Sequence, residues 1–172
     1  MRDSYDTTLI LWPATPLPAS VADELRDVGV PLTEPQASPG CLTARRTQDG
    51  QLVLEISAER LHGLTDLEAV LATLRLARVS YVAWDARKSE IAGTARSYDP
   101  DSRVEREFTV MPDGEPVLTL SDLNELEGRY GTAEGLLEGI QTWLRLPLPQ
   151  NLSEVNGFTI VIEPDEDDDE HP

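Results

Sequence analysis

Four consecutive apolar residues, Leu9-Ile10-Leu11-Trp12, end a short extended segment that begins near Thr7 and stops at Pro13. Side chains along a strand point alternately to opposite faces, so a run that is apolar at every position must be covered on both sides. Residues 7–12 are therefore expected to form a buried strand. Tyr81-Val82-Ala83-Trp84 carries the same signature and is expected to form another. A chain of 172 residues is about one domain long and buries enough surface to fold without a metal or disulfide.

The stretch between those two runs narrows the topology. Pro13, Pro16 and Pro18 stop the first strand, and Ser20 is expected to cap a helix over residues 21–28 that aligns Val21, Leu25 and Val28. Gly29 and Pro31 end it, and residues 31–40 read as a loop by their proline and glycine content. Residues 42–46 and 52–56 flank Gln48-Asp49-Gly50, a hairpin signal. Thr65-Asp66-Leu67-Glu68 has the spacing of a capping box, and the helix behind it aligns Leu67, Val70, Leu71 and Leu74. Arg75 and Arg78 point away from that face. The order strand, helix, hairpin, helix, strand is that of a split βαβ, ferredoxin-like unit.

Beyond Trp84 the pattern becomes a meander, with strands expected at residues 91–98, 104–111 and 117–120. Turns fall at Asp99-Pro100-Asp101-Ser102 and Pro112-Asp113-Gly114-Glu115. Ser121 is expected to cap a short acidic helix to about Glu127, and Thr132 to begin a helix reaching about Leu146. An apolar run at residues 158–162 should rejoin the sheet. The expected fold class is thus α+β: a mixed, mostly antiparallel sheet, with a ferredoxin-like βαββαβ start followed by a β-meander and three or four short helices. Residues 1–162 are expected to form the single domain, and residues 163–172 a disordered acidic tail.

Composition removes several chemistries. Cys41 is the only cysteine, which excludes an intrachain disulfide and a cysteine zinc cluster. It reads as a small buried residue at a strand mouth. His62 and His171 are the only histidines, the first in a loop and the second in the tail, and no Gly-x-Ser-x-Gly elbow accompanies them. Asp85, Arg87, Lys88 and Glu90 read as a charged turn. A nuclease-type acid-plus-lysine strand would need an acid two residues before Lys88, where Ala86 stands. Asp113 and Glu115 belong to a turn before they belong to a metal site. No catalytic residue, cofactor or metal is expected. The apolar stretch near the N-terminus is too short for a signal core or a membrane span, so a cytoplasmic address without membrane contact is expected. On that address Asn151-Leu152-Ser153 is an incidental glycosylation match.

Charge is the main functional clue. The chain carries 32 Asp and Glu against 14 Lys and Arg, a net of −18. Residues 112–172 hold fifteen of those acids and only Arg129 and Arg145, a net of −13. A field of this sign repels phosphates, so direct nucleic-acid binding is not expected. Arg45-Arg46 and Arg87-Lys88, the adjacent basic pairs, read as solvated surface.

On the two consecutive C-terminal helices, Asp122, Glu125, Glu127, Glu134 and Glu138 are expected to form an anionic partner-binding face, with Trp143 beside it. Gly135 and Gly139 align on the second helix, bordering the apolar face of Leu136, Leu137, Ile140, Trp143 and Leu144. Interior glycines cost about 1 kcal/mol each relative to alanine, so another element should approach the bare stripe, from within the chain or from a partner.

The expected function is a non-catalytic binding protein whose acids dock on a basic protein partner. A nuclease, a toxin or a nucleic-acid-binding complex would fit, and the mechanism would be that of a stoichiometric immunity-type or phage-type inhibitor. The other readings are an accessory subunit docking through an apolar helix face and a carboxylate-dependent metal hydrolase.

Overall fold

The computed structural model describes residues 5–30, 32, 42–58, 63–87, 92–111, 114–144, 148–155 and 157–164. Strand β1 (Tyr5–Trp12) leads into helix α1 (Ala19–Asp27), then the hairpin of β2 (Leu42–Arg46) and β3 (Leu52–Ala58). A 3-10 turn (Leu64–Leu67) runs directly into α2 (Glu68–Leu76), followed by β4 (Ser80–Arg87). The meander consists of β5 (Gly93–Asp99), β6 (Val104–Val110) and the short β7 (Pro116–Val117). Helices α3 (Leu120–Tyr130) and α4 (Ala133–Trp143) precede β8 (Ser153–Glu154).

The strands form one sheet in the order β7-β6-β5-β4-β1-β3-β2-β8. Each of the two βαβ crossovers skips a place: β3 lies between β1 and β2, and β1 lies between β3 and β4. A strand of opposite direction therefore separates every parallel pair, and all strand pairs within the sheet are antiparallel. This is the split-βαβ start and meander read from the sequence, in an α+β fold.

β1 sits between β4 and β3, as its continuous apolar run requires. On one face Leu9, Leu11, Leu54, Ile56, Tyr81 and Ala83 pack with Val21, Ala22 and Leu25 of α1 and Val70, Leu71 and Leu74 of α2 in one cluster. Ile10, Val53, Val82, Ala95 and Val110 are buried as well, and strand alternation places Ile10, Val53 and Val82 on the opposite face. Each large side chain so buried contributes roughly 1.5–3 kcal/mol. Among the described residues no helix is long and apolar enough to cross a membrane.

Two expected helix starts differ in the structure. Ser20 does not cap α1: the helix starts at Ala19, and the Pro18 carbonyl accepts from Val21 and Ala22 N–H, each at 3.1 Å. Its end is as read, with Gly29 in the left-handed region and Val30 donating back to the Leu25 carbonyl at 2.9 Å. The Thr65–Glu68 capping box does not form. Residues 64–67 make the 3-10 turn instead, the Leu64 N–H donates to the Asp85 carboxylate at 3.2 Å, and Glu68 turns toward arginines.

At the other end of the chain, Ser121 lies inside α3, whose cap is Thr119, and the helix continues to Tyr130 instead of stopping near Glu127. The strand expected at residues 117–120 shrinks to Pro116–Val117 because Thr119 commits the chain to the helix. Residues 158–162 add no strand to the sheet: Ile162 makes a single parallel bridge to Leu17, while Phe158, Ile160 and Ile162 pack on the core. Ser153 and Glu154 take the sheet edge against Arg46 and Arg45. Glu163 still donates its N–H to the Leu17 carbonyl at 2.9 Å, and residues 165–172 of the expected tail lie outside the described residues.

Candidate partner-binding surface

The α3–α4 hairpin is assembled from local signals. Thr119 and Asp122 form a reciprocal capping box: the Asp122 N–H donates to Thr119 Oγ1 at 3.2 Å, and the Thr119 N–H donates to Asp122 Oδ2 at 2.8 Å. Gly131 ends α3 with a φ of +63°. Thr132 caps α4, accepting from the Gly135 N–H at 3.1 Å. The glycine stripe of α4 is occupied from inside the hairpin by Tyr130, the last residue of α3. A β-carbon at Gly139 would lie 2.5 Å from Tyr130 Cε2, and one at Gly135 would lie 3.3 Å from Tyr130 Cβ.

The five acids do not share one role. Asp122 is spent on the capping box. Glu125 pairs with Arg129 at 3.2 Å, both side chains about 60% exposed, so a guanidinium offsets its charge. Glu127 is exposed and diverges from Glu125, because residues two apart point to different sides of a helix. Glu134 and Glu138 are exposed on α4, four residues apart and hence one above the other. Glu127, Glu134 and Glu138 make no ion pair among the described residues. Trp143 is half-buried, and its indole N–H is enclosed without an acceptor among the described residues.

The apolar residues of α4 divide between two sides. Leu136, Ile140 and Trp143 are half-buried, whereas Leu137 is 58% exposed and Leu144, seven residues on, is 37% exposed. Leu120 at the start of α3 is 75% exposed. The sequence offered Leu137 and Leu144 as members of one apolar face with Leu136, Ile140 and Trp143. Ala133, Leu137 and Leu144 repeat at helical spacing on their own, which is the signal of a second, outward stripe.

A polar cluster on the α2 side of the sheet was not legible beforehand. Arg75 Nη1 donates to Glu105 Oε1 at 2.6 Å and to the Tyr81 hydroxyl at 3.1 Å, and that hydroxyl donates to Glu105 Oε1 at 2.5 Å. Arg96 pairs with Glu68 at 2.5 Å and with Glu107 at 3.1 Å, and Arg75 reaches Glu68 at 3.5 Å. Burial and the Glu105 carboxylate push the Tyr81 phenol up, while the Arg96 hydrogen bond holds Glu68 below the usual carboxylate range. The Tyr81 ring also stacks on Tyr98, with centroids 5.8 Å apart. The cluster bolts α2 to β4, β5 and β6.

Asp85 accepts from the Leu64 and Thr94 N–H groups at 3.2 and 3.1 Å, so its carboxylate is engaged in holding the turn before α2 and the start of β5. Among the described residues no group of three or more His, Cys, Asp or Glu could hold a metal ion. Arg45 pairs with Glu55 at 3.1 Å, and Arg46 donates to the Gly50 carbonyl at 2.9 Å. Cys41, His62, Lys88, Glu90, Asp113 and His171 lie outside the described residues. No protein-family model, curated protein or solved structure matches the chain.

Proposed function

We propose that this protein is a non-catalytic acidic binding protein that docks its α3–α4 hairpin on a basic protein surface, as a stoichiometric antagonist of a nucleic-acid-handling protein such as a nuclease or toxin. The observation that carries the reading is on α4, where exposed Leu137 lies within one turn of the unpaired carboxylates of Glu134 and Glu138. An apolar centre with a charged rim is the usual anatomy of a protein interface. The net −13 of residues 112–172 favours a partner rich in Lys and Arg, because complementary fields speed encounter and reject wrong partners. Inhibition would come from occlusion, with carboxylates standing where phosphates would bind. Asp122 keeps its charge but commits a carboxylate oxygen to the Thr119 cap, and Arg129 partly offsets Glu125, so the contact would be led by Glu127, Glu134 and Glu138.

The test is capture of host proteins on the immobilised chain, followed by assay of the captured activity. A basic nucleic-acid-handling protein should be retained at low ionic strength, released at high salt and inhibited one-to-one. Combined Glu127→Lys, Glu134→Lys and Glu138→Lys should slow its association while the fold survives. Capture that ignores both salt and these substitutions overturns the reading. That result would support an accessory subunit docking through the apolar face of α4, which the exposure of Leu137 and Leu144 favours. Leu137→Ser with Leu144→Ser would then abolish capture.

A further inference from the structure

The two edges of the sheet are closed to different extents. On β2, Arg45 and Arg46 pair with β8, and Val155 donates to the Ala44 carbonyl at 3.2 Å. On β6, β7 pairs only with Thr109 and Val110 before Thr119 turns the chain into α3. Residues 104–108 carry no strand on their outer side among the described residues. Exposure follows the pairing: Val104, Glu105, Arg106 and Glu107 are exposed, Phe108 and Thr109 half-buried, and Val110 buried. β6 therefore offers five residues of ordered, extended backbone whose outward hydrogen-bonding groups face no strand.

Its side chains restrict what can lie there. Glu105 and Glu107 stand on the α2 side, held by Arg75 and Arg96. Val104, Arg106 and Phe108 alternate to the other face, and Arg106 makes no ion pair among the described residues. A second copy of the chain fits poorly. Antiparallel pairing of β6 with itself about a two-fold sets Arg106 against Arg106 and Glu105 against Glu107. Shifted by one residue either way, the axis sets Glu105 against Glu105 or Glu107 against Glu107. Like charges directly opposite are destabilising, and a charged edge is a common guard against self-pairing. Glu105 and Glu107 are paired with Arg75 and Arg96, but together with Glu68 the cluster keeps a net negative charge, so a foreign segment that is basic opposite them, acidic opposite Arg106 and apolar opposite Val104 and Phe108 meets complementary groups along its length.

We propose that the outer edge of β6, residues 104–108, is a strand-addition site for an extended segment of another protein with the pattern apolar-basic-acidic-basic-apolar. Main-chain hydrogen bonds would supply the affinity and the alternating side chains the selectivity. The site does not depend on the α3–α4 docking proposed above.

The probe is a synthetic peptide, Thr-Val-Lys-Glu-Lys-Val-Thr, blocked at both ends and palindromic so that it fits in either direction. With the full chain at millimolar peptide, amide hydrogen exchange should slow within residues 104–108. The charge-inverted peptide, Thr-Val-Glu-Lys-Glu-Val-Thr, should bind about tenfold more weakly, since three cross-strand pairs change sign. Arg106→Glu removes no partner and should weaken the first peptide several-fold. Glu127→Lys, Glu134→Lys and Glu138→Lys should leave it unaffected, so the two proposals fail separately. Unchanged exchange in β6, protection confined to α3 and α4, equal affinity for the two peptides, or self-association through β6 would each overturn the proposal.

Discussion

The ring of Tyr130, at the end of α3, occupies the space beside Gly139 in α4, so that a β-carbon at Gly139 would meet Cε2 at 2.5 Å and Cδ2 at 2.8 Å. One aromatic side chain thus explains why a helix interior keeps a residue that costs helical stability. It also assigns the glycine stripe to the hairpin's own packing, so the outward side of α4 is the side we propose for a partner.

Gly139→Ala tests that contact. Alanine gains about 1 kcal/mol of helix propensity, but displacing the ring costs about 1–3 kcal/mol. In urea denaturation the substitution is expected to destabilise the native chain and to stabilise a Tyr130→Ala background, with a coupling of at least about 1 kcal/mol. Equal effects in the two backgrounds would separate the ring from the glycine.

The cap of α3 can be assigned by a pair of substitutions. Thr119→Ala removes both the acceptor for the Asp122 N–H and the hydroxyl that Asp122 holds at 2.7 Å, and should cost about 1 kcal/mol. Ser121→Ala, at an exposed position within the first turn, should change stability by less than about 0.5 kcal/mol. The reverse ranking would return the cap to Ser121.

Tyr81 gives the protein a stability limit at alkaline pH. Its phenol is raised in the folded state by burial and by Glu105, so the folded state keeps its proton where the unfolded chain loses it. The stabilisation is complete below the unfolded value of about 10 and is lost as pH rises beyond it. The slope of stability against pH above about 10 should be shallower in Tyr81→Phe, and chemical denaturation across that range reads it. Glu68 acts at the other limit: its lowered carboxyl stabilises above about 4.5 and loses that contribution as pH falls. Its side chain is half exposed, so the contribution is under about 1 kcal/mol.

How far the chain could be read in advance differs from element to element. The double-faced run of β1, the hairpin at Gln48-Asp49-Gly50 and the stripe of Val70, Leu71 and Leu74 led directly to the observed topology, because each pattern is set by burial and turn geometry within a few residues. Thr132 as the cap of α4 was legible for the same reason. Thr119-x-x-Asp122 carries the same kind of local signature, and it is this pair, not Ser121, that caps α3. Of the candidate surface, the helical positions of Glu127, Glu134 and Glu138 follow from the local pattern, whereas the commitments of Asp122 and Glu125 and the exposure of Leu137 and Leu144 depend on how the hairpin packs.

By itself, the sequence determined the order and type of the main elements from β1 to α4, the central position of β1 and the concentration of negative charge after residue 112. Tertiary structure alone decided that Glu68 would serve Arg96, 28 residues away, and not the helix start beside it, and that Asp85 would hold Leu64 across 21 residues. It also decided that Ser153-Glu154, and not the apolar run after it, would take the sheet edge. The physical reason is competition for partners. Periodicity and caps are satisfied within a turn or two, but a charge, a sheet edge or an apolar stripe goes to whichever group the folded chain brings closest, and that choice exists only after collapse.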